Sequence, residues 1–354
     1  MSERYLFRGN HAIAEGAMRA GCRFFAGYPI TPQNEIPEYF SARMPDYGGV
    51  FLQTESEIAA INMLFGASAA GVRAMTTSSS PGISLMQEGI SYSCGADLPM
   101  VIANVVRGGP GLGNIAPAQS DYFQATRGGG HGDYRTPVLA PNSVQEMFEF
   151  PKLAFELAER YRTPVIILAD GLLGQMIEPL EYTFDPVDPK TLPKKDYILD
   201  GCKGRERRVI RSYDLRPGYL EKLNFERIKK YQKIEAEEVR YETDHLDDAE
   251  FVIIAYGTCS RVAKAAVRLA RNNGVKMGLL RPITLWPFPK KMIEELTGKT
   301  RLFIVVEMSM GQMIEDVELV VKGKAPVRLI PHPGGGIPTA REIWERFQQF
   351  REEL

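Results

Sequence analysis

A glutamate stands in the first turn of a predicted helix, directly after a short apolar segment. Residues 50–53 predict a β-strand and residues 55–70 a helix rich in small residues, with Glu57 near its start. Thr54 and Glu57 have the spacing of a capping box, in which the carboxyl group would only cap its own helix. A carboxyl group where a strand passes into a helix is also placed to meet a cofactor, so both interpretations stay open.

Residues 27–32 read Gly-Tyr-Pro-Ile-Thr-Pro and follow a strand predicted at residues 24–27. Thr31 and Pro32 predict a helix start, with threonine as the N-cap and proline as the first helical residue. A helix N-terminus beside a hydroxyl group, at the carboxyl edge of a strand, suits the binding of a carboxylate or another anion. Without a ligand, the same residues would be no more than a well-formed helix start.

Two further loops follow predicted strands. Residues 78–82 read Ser-Ser-Ser-Pro-Gly, a loop of small residues over which a ligand could lie. Arg107 follows a strand predicted at residues 100–106 and begins a glycine-rich stretch, where a cation suits a carboxylate ligand. An arginine on a flexible surface loop is the other interpretation. Residues 111–116 also fit a loose dinucleotide-binding pattern, but a proline follows at once and no amphipathic helix begins there.

Alternating strands and helices must position these loops, and the alternation predicts an α/β fold whose parallel sheet has helices on both faces. We predict a first domain over residues 1–185, a charged connector or arm over residues 186–247 with a helical stretch at 219–240, and a second, smaller α/β domain over residues 248–354. The other predicted elements are helices at residues 12–20, 83–93, 144–161, 259–272, 290–296 and 310–321, and strands at residues 72–77, 164–169, 250–255, 275–280, 301–306 and 327–330.

The composition restricts partners and compartment. The 354 residues carry 43 Lys and Arg against 44 Asp and Glu, a formal net charge of −1, which gives no bulk attraction to nucleic acid or to anionic membranes. No segment approaches the roughly 18 apolar residues of a membrane span. The first residues lack the apolar core of a signal peptide. We therefore expect a cytoplasmic protein that acts neither on nucleic acid nor in a membrane.

The four cysteines and four histidines are dispersed along the sequence. No Cys-x-x-Cys sequence occurs, which argues against a local zinc site or iron–sulfur cluster, and the histidines predict no metal site. His332 lies in residues 331–336, Pro-His-Pro-Gly-Gly-Gly, whose prolines and glycines predict a rigid turn more than a catalytic group.

Taken in order, residues 27–32, 57–60, 76–82 and 107–110 resemble the α subunit of the 2-oxoacid:ferredoxin oxidoreductases. The resemblance covers nearly the whole chain, and the ordered set is specific although no single motif is. It implies a first domain that binds the aminopyrimidine ring of thiamine diphosphate. It also implies a second domain similar to the C-terminal domain of transketolases.

The resemblance assigns roles to four residues. Glu57 matches the catalytic glutamate that hydrogen-bonds the pyrimidine ring and favours the imino tautomer, whose nitrogen removes the C2 proton of the thiazolium ring. Thr31 and Arg107 match residues that hold the carboxylate of the 2-oxoacid. Pro29 lies at the position that meets the ring system of the cofactor.

The family's remaining parts are not found in this sequence. There is no Gly-Asp-Gly with a downstream Asn to hold Mg²⁺ and the diphosphate, and there are no cluster cysteines. The resemblance therefore implies a β-type partner subunit that carries the diphosphate and Mg²⁺ site. It implies γ and ferredoxin-like iron–sulfur subunits as further partners, and ferredoxin, coenzyme A and a 2-oxoacid as reactants.

The implied reaction converts a 2-oxoacid and coenzyme A to acyl-CoA and CO₂, with electrons passed to ferredoxin. Residues 108–126 contain no Lys or Arg to pair a second carboxylate, which favours an aliphatic substrate tail. Residues 113–121 also resemble the 2-ketoisovalerate branch of the family. Pyruvate or 2-oxoglutarate as substrate, a thiamine-dependent decarboxylase or transketolase half without ferredoxin, and a non-catalytic α/β scaffold remain as alternatives.

Overall fold

The fold is that of a computed structural model, which describes residues 4–354. The strands are β1 (Arg4–Arg8), β2 (Phe24–Gly27), β3 (Val50–Gln53), β4 (Ala74–Ser78), β5 (Met100–Val106), β6 (Val138–Leu139), β7 (Pro164–Asp170), β8 (Ile177–Glu181), β9 (Tyr241–Asp244), β10 (Phe251–Ile254), β11 (Met277–Pro282), β12 (Thr284–Trp286), β13 (Leu302–Glu307) and β14 (Val327–Pro331).

The α-helices are α1 (Gly9–Arg19), α2 (Glu35–Arg43), α3 (Glu57–Ala69), α4 (Ser80–Gly95), α5 (Tyr122–Arg127), α6 (Val144–Tyr161), α7 (Gly171–Gln175), α8 (Tyr219–Glu237), α9 (Gly257–Asn272), α10 (Lys290–Thr297), α11 (Met313–Val321) and α12 (Ala340–Glu352). Short 3₁₀ helices span Met44–Tyr47 and Pro189–Thr191. Within the described residues, none of the helices combines the length and apolar composition needed to cross a membrane.

The larger sheet has the strand order β12, β6, β7, β5, β4, β2 and β3. Its pairings are parallel except that of β12 with β6. Every residue of β5 and β7 is buried, and β5 contacts both α4 and α6. Continuous burial of this kind requires helices on both faces of the sheet. The structure thus confirms the predicted parallel sheet covered by helices.

The second sheet has the order β14, β13, β10, β11 and β9, with only the β11–β9 pairing antiparallel. Its core contains Phe251, Ile304 and Phe347, and α9 packs against α12 beside it. This confirms the predicted second α/β unit. The terminal helix α12 and the small antiparallel ribbon of β1 and β8 were not predicted.

Two strands lie across the predicted domain divisions. Strand β9 falls within the predicted connector and pairs with β11 of the second sheet. Strand β12 falls within the predicted second domain and pairs with β6 of the larger sheet. Each sheet thus has an edge strand from outside the residues predicted to form its domain, and the divisions at residues 185 and 247 stay a proposal.

The connector is attached to the first domain at several points. Lys195 Nζ lies 2.8 Å from Glu159 Oε1, and the Leu199 amide donates to the Ala69 carbonyl oxygen at 2.8 Å. Most of α8 is exposed, although the side chain of Ile234 is fully buried. The charged segment therefore packs on the first domain through a few anchors.

The helix predicted to begin at Thr31 begins at Glu35 instead, so the prediction of Thr31 as its N-cap is wrong. Thr31 and Pro32 lie in the turn between β2 and α2. The fully buried side chain of Gln33 holds this turn, since its Nε2 donates to the Tyr28 carbonyl oxygen at 3.3 Å. This bond from a side chain to the backbone holds residues 28–33 in a turn, so they do not join the helix.

Candidate active site

Four sequence motifs meet at one edge of the larger sheet. Strands β2, β3, β4 and β5 are parallel, so their carboxyl ends lie along the same edge. The segments that leave these strands begin at Tyr28, Thr54, Ser79 and Arg107. Ligands of open α/β sheets bind outside this edge. The fold therefore gathers the predicted site residues where such a ligand would lie.

Glu57 is the first residue of α3, and its carboxyl group is not used to cap the helix. The cap is Ser56, whose Oγ accepts a hydrogen bond from the Ala59 amide at 3.2 Å. The capping-box interpretation of Thr54 and Glu57 is therefore wrong. The side chain of Glu57 is 5% exposed, and it forms no hydrogen bond or ion pair with the residues that the structure describes. Neither carboxyl oxygen is among the fully enclosed unpaired atoms, so the carboxyl group stays accessible to a ligand.

The carboxyl group of Glu57 lies against the first turn of α4. A Cβ built on Gly82 would overlap both Glu57 Oε1 and Ser78 Oγ. Only glycine leaves room for the carboxyl group at this point. The site thus joins the start of α3 to the start of α4.

Arg107 is also buried, with 7% of its surface exposed, so the interpretation as a surface-loop arginine is wrong. Its Nη1 donates to the Thr31 carbonyl oxygen at 3.0 Å and its Nη2 to the Leu112 carbonyl oxygen at 3.0 Å. Its Nε is buried without a partner among residues 4–354. Thr31 and Arg107 are therefore in contact, through the threonine carbonyl, while the Thr31 hydroxyl accepts from Asn34 Nδ2 at 3.4 Å.

Ser80 joins Arg107 to the helix that Glu57 touches. The Arg107 amide donates to Ser80 Oγ at 3.1 Å, and Ser80 Oγ donates to the Arg107 carbonyl oxygen at 3.3 Å. Ser80 and Gly82 are two residues apart in the first turn of α4. Glu57 and Arg107 therefore approach the same turn.

Unsatisfied polar groups cluster at this edge. The hydroxyl groups of Thr76, Ser78 and Ser79 are buried and have no hydrogen-bond partner within residues 4–354. Together with Arg107 Nε they leave several buried donors and acceptors unused. Native proteins satisfy most buried polar groups, so this cluster marks a place that a ligand or a partner chain would complete.

Pro29 lies in an exposed part of the turn after β2, two residues before Thr31. It lies at the same edge as Glu57 and makes no polar contact with residues 4–354. Two buried polar residues of this region, Gln33 and Asn104, were missed in the sequence. For Asn104 a signal was available, because it is the only polar residue in the otherwise apolar strand β5.

Asn104 connects Ser80 to the carboxyl group of Asp121. Its Oδ1 accepts from the Ser80 amide at 3.1 Å, and its Nδ2 donates to Asp121 Oδ2 at 2.8 Å. Burial raises the pKa of Asp121, although hydrogen bonds from Asn104 and Ser80 act in the opposite direction. Asp121 is half-buried and stands at the end of the segment that begins at Arg107.

The second domain packs against the segment that follows Arg107. Gln119 Nε2 donates to the Tyr256 carbonyl oxygen and Gln119 Oε1 accepts from the Met308 amide, both at 3.0 Å. Nearer the loop tip, Asn114 Nδ2 donates to the Gly334 carbonyl oxygen at 3.0 Å. The turn predicted around His332 therefore touches the loop after Arg107 through Gly334.

The arrangement offers one unpartnered carboxylate and one guanidinium with a free N–H, both buried at the carboxyl edge. Such a carboxylate can accept a hydrogen bond from a ring N–H, and such a guanidinium can bind a carboxylate. Within the described residues, no group of three or more His, Cys, Asp and Glu side chains could hold a metal ion.

Two family models match the sequence. The model described as "Pyruvate flavodoxin/ferredoxin oxidoreductase, thiamine diP-bdg" matches residues 15–244. The model described as "Pyruvate:ferredoxin oxidoreductase core domain II" matches residues 249–343. The first of these includes the whole edge that contains Glu57 and Arg107.

Proteins of similar sequence span the full length of the chain. The ketoisovalerate oxidoreductase subunit VorB of Methanothermobacter marburgensis is 50% identical over 348 residues, which are 98% of each chain. The 2-oxoglutarate synthase subunit KorA of the same organism is 40% identical over 378 residues, 99% of this chain and 100% of the relative.

Two solved structures have a similar fold. The 2-oxoglutarate:ferredoxin oxidoreductase from Magnetococcus marinus, with 2-oxoglutarate, coenzyme A and succinyl-CoA bound, superposes with a TM-score of 0.86 at 25% identity, and the match covers 98% of this chain and 65% of that one. A split gene transketolase superposes with a TM-score of 0.60 at 14% identity over 97% of both chains, a likeness of fold alone.

Proposed function

Because the chain belongs to the 2-oxoacid:ferredoxin oxidoreductase family, we propose that it is the α-type subunit of an enzyme that oxidatively decarboxylates 2-ketoisovalerate or another branched-chain 2-oxoacid. The products are acyl-CoA, CO₂ and reduced ferredoxin. The 50% identity to a ketoisovalerate oxidoreductase subunit, over 98% of both chains, supports this assignment. The single structural observation that carries it is the buried, unpartnered carboxyl group of Glu57 beside the first turn of α4.

The residues at the edge fit the pyrimidine side of thiamine diphosphate. When bound, this cofactor supplies the carbanion chemistry of decarboxylation, while the protein supplies orientation and electrostatics. Glu57 would accept a hydrogen bond from a ring N–H and so hold a proton at that nitrogen. Pro29, exposed at the same edge, would contact the ring system. The unpartnered hydroxyl groups of Ser78 and Ser79 are further candidates to face the cofactor.

Arg107 and Thr31 would hold the carboxylate of the 2-oxoacid. Nη1 and Nη2 of Arg107 each donate one N–H to a backbone carbonyl oxygen, which leaves the second N–H of each nitrogen to donate to a substrate. A charge-assisted hydrogen bond from this buried group would bind a carboxylate strongly because little water competes. The contact between Thr31 and Arg107 fixes the guanidinium relative to the turn after β2.

The substrate tail is proposed to be aliphatic. The side chains of Leu112 and Ile115, in the loop after Arg107, are 81% and 63% exposed, and they offer apolar surface. A distal carboxylate would need a cation, and residues 108–126 contain none. The 50% identity to the ketoisovalerate subunit against 40% to the 2-oxoglutarate subunit supports the same preference.

The chain would work with partner subunits. We propose that a β-type subunit carries the Mg²⁺ and diphosphate site, and that γ and ferredoxin-like subunits carry the iron–sulfur clusters and pass electrons to ferredoxin. Exposed apolar side chains next to the Glu57 edge support a partner at this surface, namely Ile58 and Leu85, each 50% exposed, and Met63 at 37%. The free cysteine thiols fit the reducing cytoplasm in which we place the complex.

The test is reconstitution of the complex with its partner subunits. The assay follows ferredoxin reduction with coenzyme A, thiamine diphosphate and Mg²⁺, using 2-ketoisovalerate, pyruvate and 2-oxoglutarate in parallel. We expect the highest kcat/KM with 2-ketoisovalerate, and no turnover by the chain alone. A preference for 2-oxoglutarate would overturn the substrate assignment, and robust turnover by the isolated chain would overturn the subunit assignment.

A further inference from the structure

Asn104 is an amide side chain inside a strand that is otherwise apolar and completely buried. Its exposed fraction is 1%, and both ends of its amide are hydrogen-bonded, to the Ser80 amide and to Asp121 Oδ2. A buried amide costs free energy unless both its donor and its acceptor are used. The structure uses both, one with the Ser80 amide and one with the Asp121 carboxyl group.

One partner fixes the beginning of α4. The N-cap residue Ser79 makes no side-chain hydrogen bond to the first turn, so the helix lacks a cap of its own. Asn104 Oδ1 accepts from the Ser80 amide at 3.1 Å and thereby supplies a capping acceptor from the neighbouring strand. Ser80 Oγ in turn bonds the amide and carbonyl groups of Arg107.

The other partner fixes the far end of the loop. Residues 107–121 leave β5 at Arg107 and reach α5 at Asp121, directly before Tyr122. Asn104 Nδ2 donates to Asp121 Oδ2 at 2.8 Å. One amide therefore holds both ends of the loop, the first through Ser80 and the second directly.

We propose that Asn104 and Asp121 form a clamp that positions Arg107 for the substrate carboxylate. The proposal rests on the proposed function, because it assumes that Arg107 binds the 2-oxoacid. An amide at position 104 serves both partners when Asp121 is a carboxylate. The Ser80 amide requires an acceptor, and the carboxylate requires a donor. Asn104 is a positioning residue, since it acts through Ser80 and the loop ends and touches no reacting atom.

The clamp predicts that its two residues can be exchanged. Asn104→Asp places a second carboxyl group against Asp121, and while both groups are ionised they repel each other, which displaces the loop end and Arg107. Asp121→Asn keeps an amide oxygen that can accept from Asn104. In the double variant Asn104→Asp/Asp121→Asn, the new carboxylate can accept from the Ser80 amide and from the new amide at position 121. Both ends of the loop are then held again.

The experiment measures KM and kcat for the 2-oxoacid in the reconstituted complex, with Asn272→Asp as the matched control, at an exposed asparagine that is the last residue of α9. We expect Asn104→Asp to raise KM about tenfold with a smaller change in kcat, and Asp121→Asn and the double variant to stay within about threefold of wild type. If Asn104 had a purely structural role, Asn104→Asp would alter thermal stability. It would not raise KM more than it changes kcat, and the double variant would not restore KM.

An unchanged KM in the assembled Asn104→Asp complex, or a double variant as impaired as the single one, would overturn the clamp. If Asn104→Asp does not assemble, Asn104→Ser takes its place. Its hydroxyl is too short to reach both partners, so the same rise in KM is expected and an unchanged KM overturns the proposal.

Arg107→Lys is measured in parallel. If it leaves KM unchanged, the role of Arg107 in the proposed function fails. If it raises KM while the position 104 variants do not, only the clamp fails.

Discussion

The carboxyl group of Glu57 lies directly against Gly82, so that a Cβ at position 82 would overlap Glu57 Oε1. The two residues belong to different helices, α3 and α4, which begin at neighbouring points of the same sheet edge. The absence of a side chain at position 82 is what allows a buried carboxyl group to face the edge. Glu57 is thus held in place by packing, while its oxygens stay available.

Gly82→Ala tests this relationship. We expect kcat of the complex to fall at least about tenfold, because the added methyl group must displace the carboxyl group of Glu57 or shift α4. Overpacking of this kind also costs about 1–3 kcal/mol of stability. Gly298→Ala at the end of α10 is the control, since its φ is −74° and a Cβ there meets nothing within 4 Å. Wild-type kcat in Gly82→Ala would contradict the packing argument.

Arg107→Lys is expected to raise KM for the 2-oxoacid by about tenfold to a hundredfold. The guanidinium holds the Thr31 and Leu112 carbonyl groups with one N–H each of Nη1 and Nη2 and keeps a second N–H on each, and a single ammonium group cannot reproduce that planar geometry. Steady-state kinetics across 2-oxoacids measure the effect, with the exposed Arg346→Lys on α12 as control. If Arg107→Lys and Arg346→Lys gave equal KM values, Arg107 would not be a substrate-binding residue.

The anchor between the connector and α6 predicts a pH-dependent stability. Burial raises the pKa of Glu159, but hydrogen bonds and charge from Arg73 and Lys195 outweigh burial, and the pKa lies below its ordinary value. The Arg73 guanidinium contacts both carboxyl oxygens, at 3.0 and 2.6 Å. A lowered pKa in the folded state stabilises the protein above the unfolded pKa, and this contribution is lost as the pH falls through the folded pKa.

Glu159→Gln should therefore lower the free energy of unfolding by about 1–3 kcal/mol at neutral pH. The difference from wild type should shrink as the pH falls below the unfolded-state pKa of about 4.3. Urea titrations at neutral and acidic pH measure it, with Glu156→Gln on the exposed face of the same helix as control. A difference that persists unchanged into acid would mean that the ion pairs are not its source.

Much of the fold was predictable because the central strands are continuous apolar runs. Strands β2, β3 and β5 and helix α6 were predicted with the bounds that the structure has, since each has a clear period or a clear end signal. Strand β12 was not predicted, because three residues carry too little pattern and its partner β6 lies far away in sequence. Pairing of this kind depends on tertiary packing, which the residues of a short segment do not reveal.

The site was predictable to the level of which residues meet at the edge, and less so in how they are held. Thr31 and Pro32 have the residue types of a helix start, yet the buried side chain of Gln33 fixes a turn there. Thr54 and Glu57 have capping-box spacing, yet Ser56 takes the cap and leaves the carboxyl group free. In both places a side-chain hydrogen bond to the backbone decided the outcome, and sequence spacing alone does not show which of the possible bonds will form.

The most direct test of the account is the kcat of the reconstituted complex with Glu57→Gln, measured beside Glu55→Gln. Glu55 carries an exposed carboxyl group two residues earlier. Because both variants lose one carboxylate, a difference in kcat between them reports the position of the lost group and not the change in net charge. We expect Glu57→Gln to lower kcat at least about a hundredfold while the chain keeps its thermal stability, because the lost group acts on a proton and forms no bond within the described fold. Glu55→Gln should match wild type. Near-wild-type kcat in an assembled Glu57→Gln complex would contradict the assignment of this edge as the cofactor site.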